Sequence, residues 1–255
     1  MSVLDSIIEG VLEDLALRRE PLSKLDELIS ASVKAITPNF PLDSMSVIAE
    51  IKRSSPSKGD LAEILNPSQL ADTYQRAGAS AISVLTEGRR FKGSIKDLSD
   101  VRSSTTLPIL RKDFMVDEYQ FFEARAYGAD MVLLIVAAIS KSQLRDYYAL
   151  ATELGMSTLV EIHTEQELED AMEIEPAIIG VNSRNLKTLE VDPEVFSLLL
   201  PRIPDGLIKV AESGIANRSQ VIAAESAGAN VILVGEALVK AGDPIKSMAA
   251  LLGRQ

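Results

Sequence analysis

Glu50 and Lys52 stand two residues apart at the end of an apolar run, Val47-Ile48-Ala49-Glu50-Ile51-Lys52. The alternation of a strand would point both side chains the same way, so that a carboxylate and an ammonium face one space. Such a pair can mark a reactive site, and a structural ion pair at a strand end would look the same. Ser55-Pro56-Ser57 follows. Proline cannot donate to a ladder and serine hydroxyls bond locally, so the chain turns there and leaves donors near the strand end.

Other apolar runs end in the same way. Ala81–Leu85 leads into Thr86-Glu87-Gly88, Leu107–Leu110 into Arg111-Lys112-Asp113-Phe114, and Thr158–Ile162 carries Glu161 and runs into His163. Ala177–Val181 leads into Asn182-Ser183-Arg184-Asn185, Leu207–Ala211 into Glu212-Ser213-Gly214, and Val231–Val234 into Gly235-Glu236. Met131–Val136 is the exception, because Leu133 and Leu134 offer a hydrophobic wall. The mixture suits a ligand with one flat apolar part and several oxygens. Lys112, in apolar surroundings, is expected to have its pKa lowered by desolvation toward an acid–base range, unless it snorkels at the rim. Glu50, Glu161 and Glu212 would destabilise one another unless lysines sit among them. Gly214 and Gly235 let the backbone approach a ligand, and Gly235-Glu236-Ala237-Leu238-Val239 can open a short helix whose N–H groups face an anion; two tight turns would use the same glycines. The Glu236 carboxylate would repel a phosphate unless it points away. His163 shares the parity of Glu161 but adjoins a helix cap, which gives it a structural role.

Eight apolar runs alternate with amphipathic segments from residue 47 onward, and Gly78-Ala79-Ser80, Gly128-Ala129-Asp130 and Gly228-Ala229-Asn230 each close a helix and open a strand. Their offsets are multiples of a βα unit of about 25 residues. Thr164-Glu165-Gln166-Glu167, Asn66-Pro67, Asp192-Pro193 and Asp243-Pro244 are helix starts. Strict alternation over this length predicts a single (β/α)8 TIM barrel of α/β class at residues 47–255; an open doubly wound sheet would want a Gly-x-Gly-x-x-Gly after its first strand. Leu4, Ile7, Ile8, Val11, Leu12 and Leu15 form one helical stripe, and with a second helical patch over 22–33 they make an N-terminal helical extension, 1–46, packed on the barrel. Its charges read as solvated faces. The chain has no cysteine and one histidine, which excludes disulfides and the usual zinc sites. A net charge of −11 gives no footprint for nucleic acid or an anionic membrane surface. The N-terminus lacks a basic leader and the longest apolar run, Met131 to Ile139, is too short to span a bilayer. A cytoplasmic protein is expected.

Glu50-x-Lys52-x-x-Ser55-Pro56-Ser57, Leu110-Arg111-Lys112-Asp113-Phe114, Asn182-x-Arg184-Asn185-Leu186 and Ala211-Glu212-Ser213-Gly214, in this order, closely resemble the indole-3-glycerol-phosphate synthases of tryptophan biosynthesis. The resemblance covers essentially the whole chain. It implies a lyase that closes the ring of 1-(2-carboxyphenylamino)-1-deoxyribulose 5-phosphate, decarboxylates it and dehydrates it, with a phosphorylated small molecule as partner and neither metal nor organic cofactor. It implies catalytic positions at Glu50, Lys52, Lys112, Glu161, Asn182, Glu212 and Ser213. Substrate and phosphate contacts fall on Ser55, Phe91, Phe114, Leu133, Arg184, Leu186, Gly214, Gly235 and Glu236, with only the backbone of Glu236 transferable. A monomer or weak homo-oligomer is expected, with contacts to other tryptophan-pathway enzymes. A Schiff-base lyase on the same barrel, or a non-catalytic metabolite-binding barrel, are the rival readings.

Overall fold

The computed structural model describes residues 2–240 and 242–254. Eight parallel strands close into a barrel in sequence order: β1 Ser46–Ile51, β2 Ala81–Leu85, β3 Ile109–Lys112, β4 Met131–Ile135, β5 Ser157–Ile162, β6 Ile178–Asn182, β7 Ile208–Glu212 and β8 Val231–Val234. Ser46 opposite Val231 and Ile48 opposite Ala81 close β1 on both neighbours. A separate two-stranded hairpin, Ser54–Ser55 with Gly59–Asp60, forms the turn expected after β1. The third run begins two residues later than the sequence suggested. Pro108 has no N–H to give the ladder, although its carbonyl accepts from Ile82, so Arg111 and Lys112 lie inside the strand.

Helices follow each strand: α3 Pro67–Arg76, α4 Ile95–Arg102, α5 Tyr119–Ala126, α6 Lys141–Glu153, α7 Glu165–Met172, α8 Glu194–Leu199, α9 Arg218–Ser226, then α10 Glu236–Lys240 and α11 Pro244–Leu252. Side chains of Asn66, Thr164 and Asp243 cap their helices as expected. Asp192 accepts the Glu194 N–H, but the helix itself begins only at Glu194. Gly78, Gly128 and Gly228 turn helices into strands at φ of 91, 95 and 105°, which an L side chain resists. Alternation sorts the strand side chains into two cores. Val47, Ala49, Ile82, Val84 and Leu134 pack against the helices, while Ile48, Ala81, Leu110, Met131, Leu133, Leu159 and Val210 fill the barrel. Leu134 therefore does not share the wall with Leu133; the period of two sends it outward.

The extension comprises α1, Val3–Arg18, and α2, Leu22–Ala31. Leu4, Ile7 and Val11 join the barrel's inner cluster. Its charges are not simply solvated: Arg18 meets Glu123 at 3.0 Å, Arg89 holds Glu13 and Asp14 at 2.6 Å each, and Arg19 pairs with Asp117. Ser6 accepts from Arg90 of the loop after β2, so α1 lies at the C-terminal ends of the strands. The linker then crosses to the opposite ends. Ile36 donates to Asp130 just before β4, Leu42 accepts from Asn230 just before β8, and Phe40 enters the inner cluster.

Arg111 is fully buried on the helix side of β3. It donates to Thr86 Oγ1 at 3.1 Å, the Gln120 carbonyl at 2.9 Å, Asp113 at 3.0 Å and Glu123 at 2.8 Å, and Glu123 passes the link to Arg18 of α1. Its neighbour Lys112 faces the opposite way. Arg111→Met leaves Asp113 buried without a cation and Glu123 with Arg18 alone, a loss expected to cost about 3–5 kcal/mol. Denaturant unfolding checks this, and a change below about 1 kcal/mol would contradict the role given to the network.

Candidate active site

A cavity of about 670 Å³ opens at the C-terminal ends of the strands. Its floor is a ring of charges. In a barrel of this kind the side chains of one layer come from alternate strands, and here Glu50, Lys112, Glu161 and Glu212 come from β1, β3, β5 and β7. Lys112 Nζ lies 2.7 Å from Glu161 Oε2 and 2.7 Å from Glu212 Oε2, and Lys52 Nζ lies 2.5 Å from Glu50 Oε1. The three carboxylates are buried. Gly180 on β6 makes room for one of them: a Cβ there would stand 2.1 Å from Glu212 Oε1.

The electrostatics correct one expectation. Burial alone would lower the Lys112 pKa, but the charges of Glu161, Glu212 and Glu50 outweigh it and hold the ammonium well above its ordinary range. Lys112 is a firmly protonated cation. Burial also pushes the two carboxylates up, and their surroundings then separate them. Lys112 and His163 hold Glu161 below the usual carboxylate range. Glu212 has Lys112 but also the negative charge of Glu161 beside it, and is pushed up to about 7. His163 Nε2 lies 3.4 Å from Glu161 Oε1, and its Nδ1 lies 3.0 Å from Glu167 Oε2. Against its own burial, these two carboxylates raise its pKa to about 9. The histidine thus touches the charged ring and is more than part of a helix cap.

One wall is apolar. Phe91 and Phe114 stand 6.3 Å apart between ring centroids, with Leu133, Ile135, Leu186 and Ile7 beside them. The other wall is rich in donors. Ser55, Ser57, Ser213, Gly214 and Gly235 line it, and Ser213 and Gly214 turn the chain at φ of 68 and 70°. Positive φ is costly for serine and marks a constrained turn. Asn182 Oδ1 accepts the Arg184 N–H at 2.9 Å. Arg184 donates to Ser57 Oγ and to the Leu189 carbonyl and, among the described residues, pairs with no carboxylate; burial lowers its pKa against the pull of Glu236 and Glu50. Glu236 is engaged by Lys58 at 3.2 Å and Lys240 at 2.9 Å, which removes the repulsion that its position suggested.

Every residue that the family resemblance implies for the site lines this cavity, whereas Thr86 and Glu87, named only as polar residues after a strand, do not. Thr86 bonds Arg111 and Asp113, and the Glu87 carboxylate accepts the N–H groups of Arg89, Arg90 and Phe91, shaping the loop that presents Phe91. Sequence reasoning missed Ile7, Ile135, Lys58 and Lys240 on the cavity wall. Lys58 and Lys240 had a signal, since each adjoins a segment nominated for an anion. Ile7 had none, because its helical stripe does not say what it covers. A half-buried guanidinium without a carboxylate partner suits an anion. Arg184→Ala should weaken binding of inorganic phosphate roughly tenfold or more, the worth of a charged hydrogen bond; equal affinity by calorimetry would refute an anion at this wall.

Comparison with known proteins places this geometry. The family model described as indole-3-glycerol phosphate synthase matches residues 4–251. The indole-3-glycerol phosphate synthase of Micrococcus luteus is 50% identical over 98% of this chain and 97% of its own length, and that of Mycolicibacterium smegmatis 51% identical over 98% and 94%. Among solved structures, the tryptophan synthase A-subunit of Pyrococcus furiosus superposes with a TM-score of 0.62 at 15% identity over 84% of this chain and 100% of that one, a likeness of fold. Matched over nearly its whole length by one family, the chain belongs to the indole-3-glycerol phosphate synthases.

Proposed function

We propose that the cavity carries out the family's reaction with two protonated lysines as acids and a carboxylate as base. The observation that carries this reading is the delivery of Lys52 and Lys112 into one cavity, each against carboxylates. Ring closure joins the carboxylate-bearing anthranilate carbon to C2′, and the carbonyl oxygen gains charge that an ammonium can stabilise and protonate. Carbon dioxide then leaves and aromaticity returns. Loss of a charged carboxylate as a neutral molecule is favoured beside an apolar wall, here Phe114 and Leu133. Dehydration protonates the C2′ hydroxyl and removes a proton from C1′, which closes the indole double bond.

Glu161 is our base. Its low proton affinity depends on Lys112, so when that ammonium turns to the substrate oxygen the carboxylate loses its counter-charge and becomes a stronger base. Asn182 orients substrate hydroxyls. Glu50 and Glu212 set the position and charge of the lysines, and Ser213 lies beside them on the strained turn. The phosphate is assigned to Ser55, Arg184 and the backbone of Gly214, Gly235 and Glu236, and the aromatic ring to Phe91, Phe114, Leu133 and Leu186. A Schiff base is the poorer reading, because it needs a neutral amine and the surroundings of Lys112 keep it charged.

We also assign the helical extension to residues 1–46 and the barrel to 47–255, and place a monomer or weak homo-oligomer in the cytoplasm, in contact with other tryptophan-pathway enzymes. No helix among the described residues is long and apolar enough to cross a membrane.

Incubation with 1-(2-carboxyphenylamino)-1-deoxyribulose 5-phosphate should generate the indole chromophore. Lys52→Met and Lys112→Met should each lower kcat roughly 100-fold or more, with a smaller effect on substrate binding. Rapid quench should find one variant stalled before carbon dioxide release and the other after it. Wild-type release by both, or a rise in KM alone, would remove the assignment of two acids.

A further inference from the structure

Lys112 sits at the same distance from two buried carboxylates, 2.7 Å from Glu161 and 2.7 Å from Glu212. Nothing in that contact decides which carboxylate is the bare one. What differs is the far side of each. Behind Glu212 lies Gly180, whose missing side chain makes space and offers no charge. Behind Glu161 lies His163, with Nε2 at 3.4 Å from Glu161 Oε1; both atoms are buried and, among the described residues, neither has a hydrogen-bond partner.

The ring is held in place from its other nitrogen. Glu167 Oε2 lies 3.0 Å from Nδ1 and also accepts the His163 backbone N–H at 2.7 Å. Glu167 stands in the first turn of α7, where Thr164 caps its own N–H. A carboxylate fixed by a helix start therefore fixes the imidazole, and the imidazole faces Glu161. His163 does not line the cavity, so it meets the substrate only through Glu161.

Resting on the reading of Glu161 as the base, we propose that His163, oriented by Glu167, is the positioning residue that makes Glu161 rather than Glu212 the ionised member of the pair. The titratable groups acting on His163 are Glu161 on the preceding strand β5 and Glu167 on α7. Both favour the imidazolium. With its charge beside Glu161, the proton shared among the carboxylates resides on Glu212, and Glu161 stays ready to accept one from C1′.

Two variants and one titration test this. His163→Gln keeps a donor of similar reach without the charge, and Glu167→Gln removes the carboxylate that favours the imidazolium. A neighbouring charge moves a carboxylate by about one pH unit or more. The acid limb of kcat should therefore move up by that amount in His163→Gln and in the same direction by less in Glu167→Gln. On the acid side of that limb turnover should fall about tenfold and recover as pH rises, with KM within about twofold of wild type. A uniform loss of kcat at every pH, or an acid limb at the wild-type position, overturns the proposal. His163 is the one histidine of the chain, so its ring resonances in the intact protein need no assignment. They should titrate near pH 9 in wild type and at lower pH in Glu161→Gln; titration near the ordinary histidine value overturns the proposal even if both variants fail to fold. Wild-type turnover in Glu161→Gln would instead refute the choice of base.

Discussion

A lysine ammonium held between two buried carboxylates is the constraint on which the site depends. Taking any one of these ions out of water costs several kcal/mol, and only close opposite charges offset that cost. Lys112, Glu161 and Glu212 come from β3, β5 and β7, strands that meet across the interior only when the barrel is closed. Closure thus assembles the charges, and the charges tolerate little else in the interior. Gly180 illustrates the fit, since even a methyl group there would overlap the Glu212 carboxylate.

The remainder of the molecule keeps this ring in place. On the outer side of β3, Arg111 ties the strand that carries Lys112 to α5 and, through Glu123, to Arg18 of α1. The extension therefore reaches the site twice, through that chain of ion pairs and through Ile7 on the cavity wall. Apolar surface on one side and donors on the other divide the cavity between the two halves of an aromatic sugar phosphate. The wall of donors avoids self-repulsion because Lys58 and Lys240 occupy Glu236 and leave Arg184 without a carboxylate partner among the described residues.

The barrel was legible in the sequence because its signals are local. Alternating apolar runs, the Gly-Ala triplets and the helix starts at Asn66, Thr164 and Asp243 each depend on a few neighbouring residues. The lining of the cavity was legible because its polar residues stand at or just after the C-terminal ends of strands, where a barrel opens its loops. What stayed hidden depends on closure and register. Composition around Lys112 suggested a lowered pKa, since desolvation can be read from apolar neighbours while carboxylates 49 and 100 residues away cannot. Leu134 looked like part of the wall until the parity of β4 turned it outward. Arg18 and Arg19 looked solvated because their partners, Glu123 and Asp117, belong to a distant segment. His163 showed its parity but not its partner, and Gly180 carried no signal at all.

The distribution of protons over the ring can be observed directly. Neutron diffraction from crystals exchanged into deuterated buffer near pH 6, below the raised pKa of Glu212, would locate each deuteron. Three should lie on Lys112 Nζ, none on Glu161, one on Glu212, and one on each ring nitrogen of His163. A neutral amine at Lys112, or the carboxyl deuteron on Glu161 instead of Glu212, would contradict the charge arrangement on which the proposed chemistry rests.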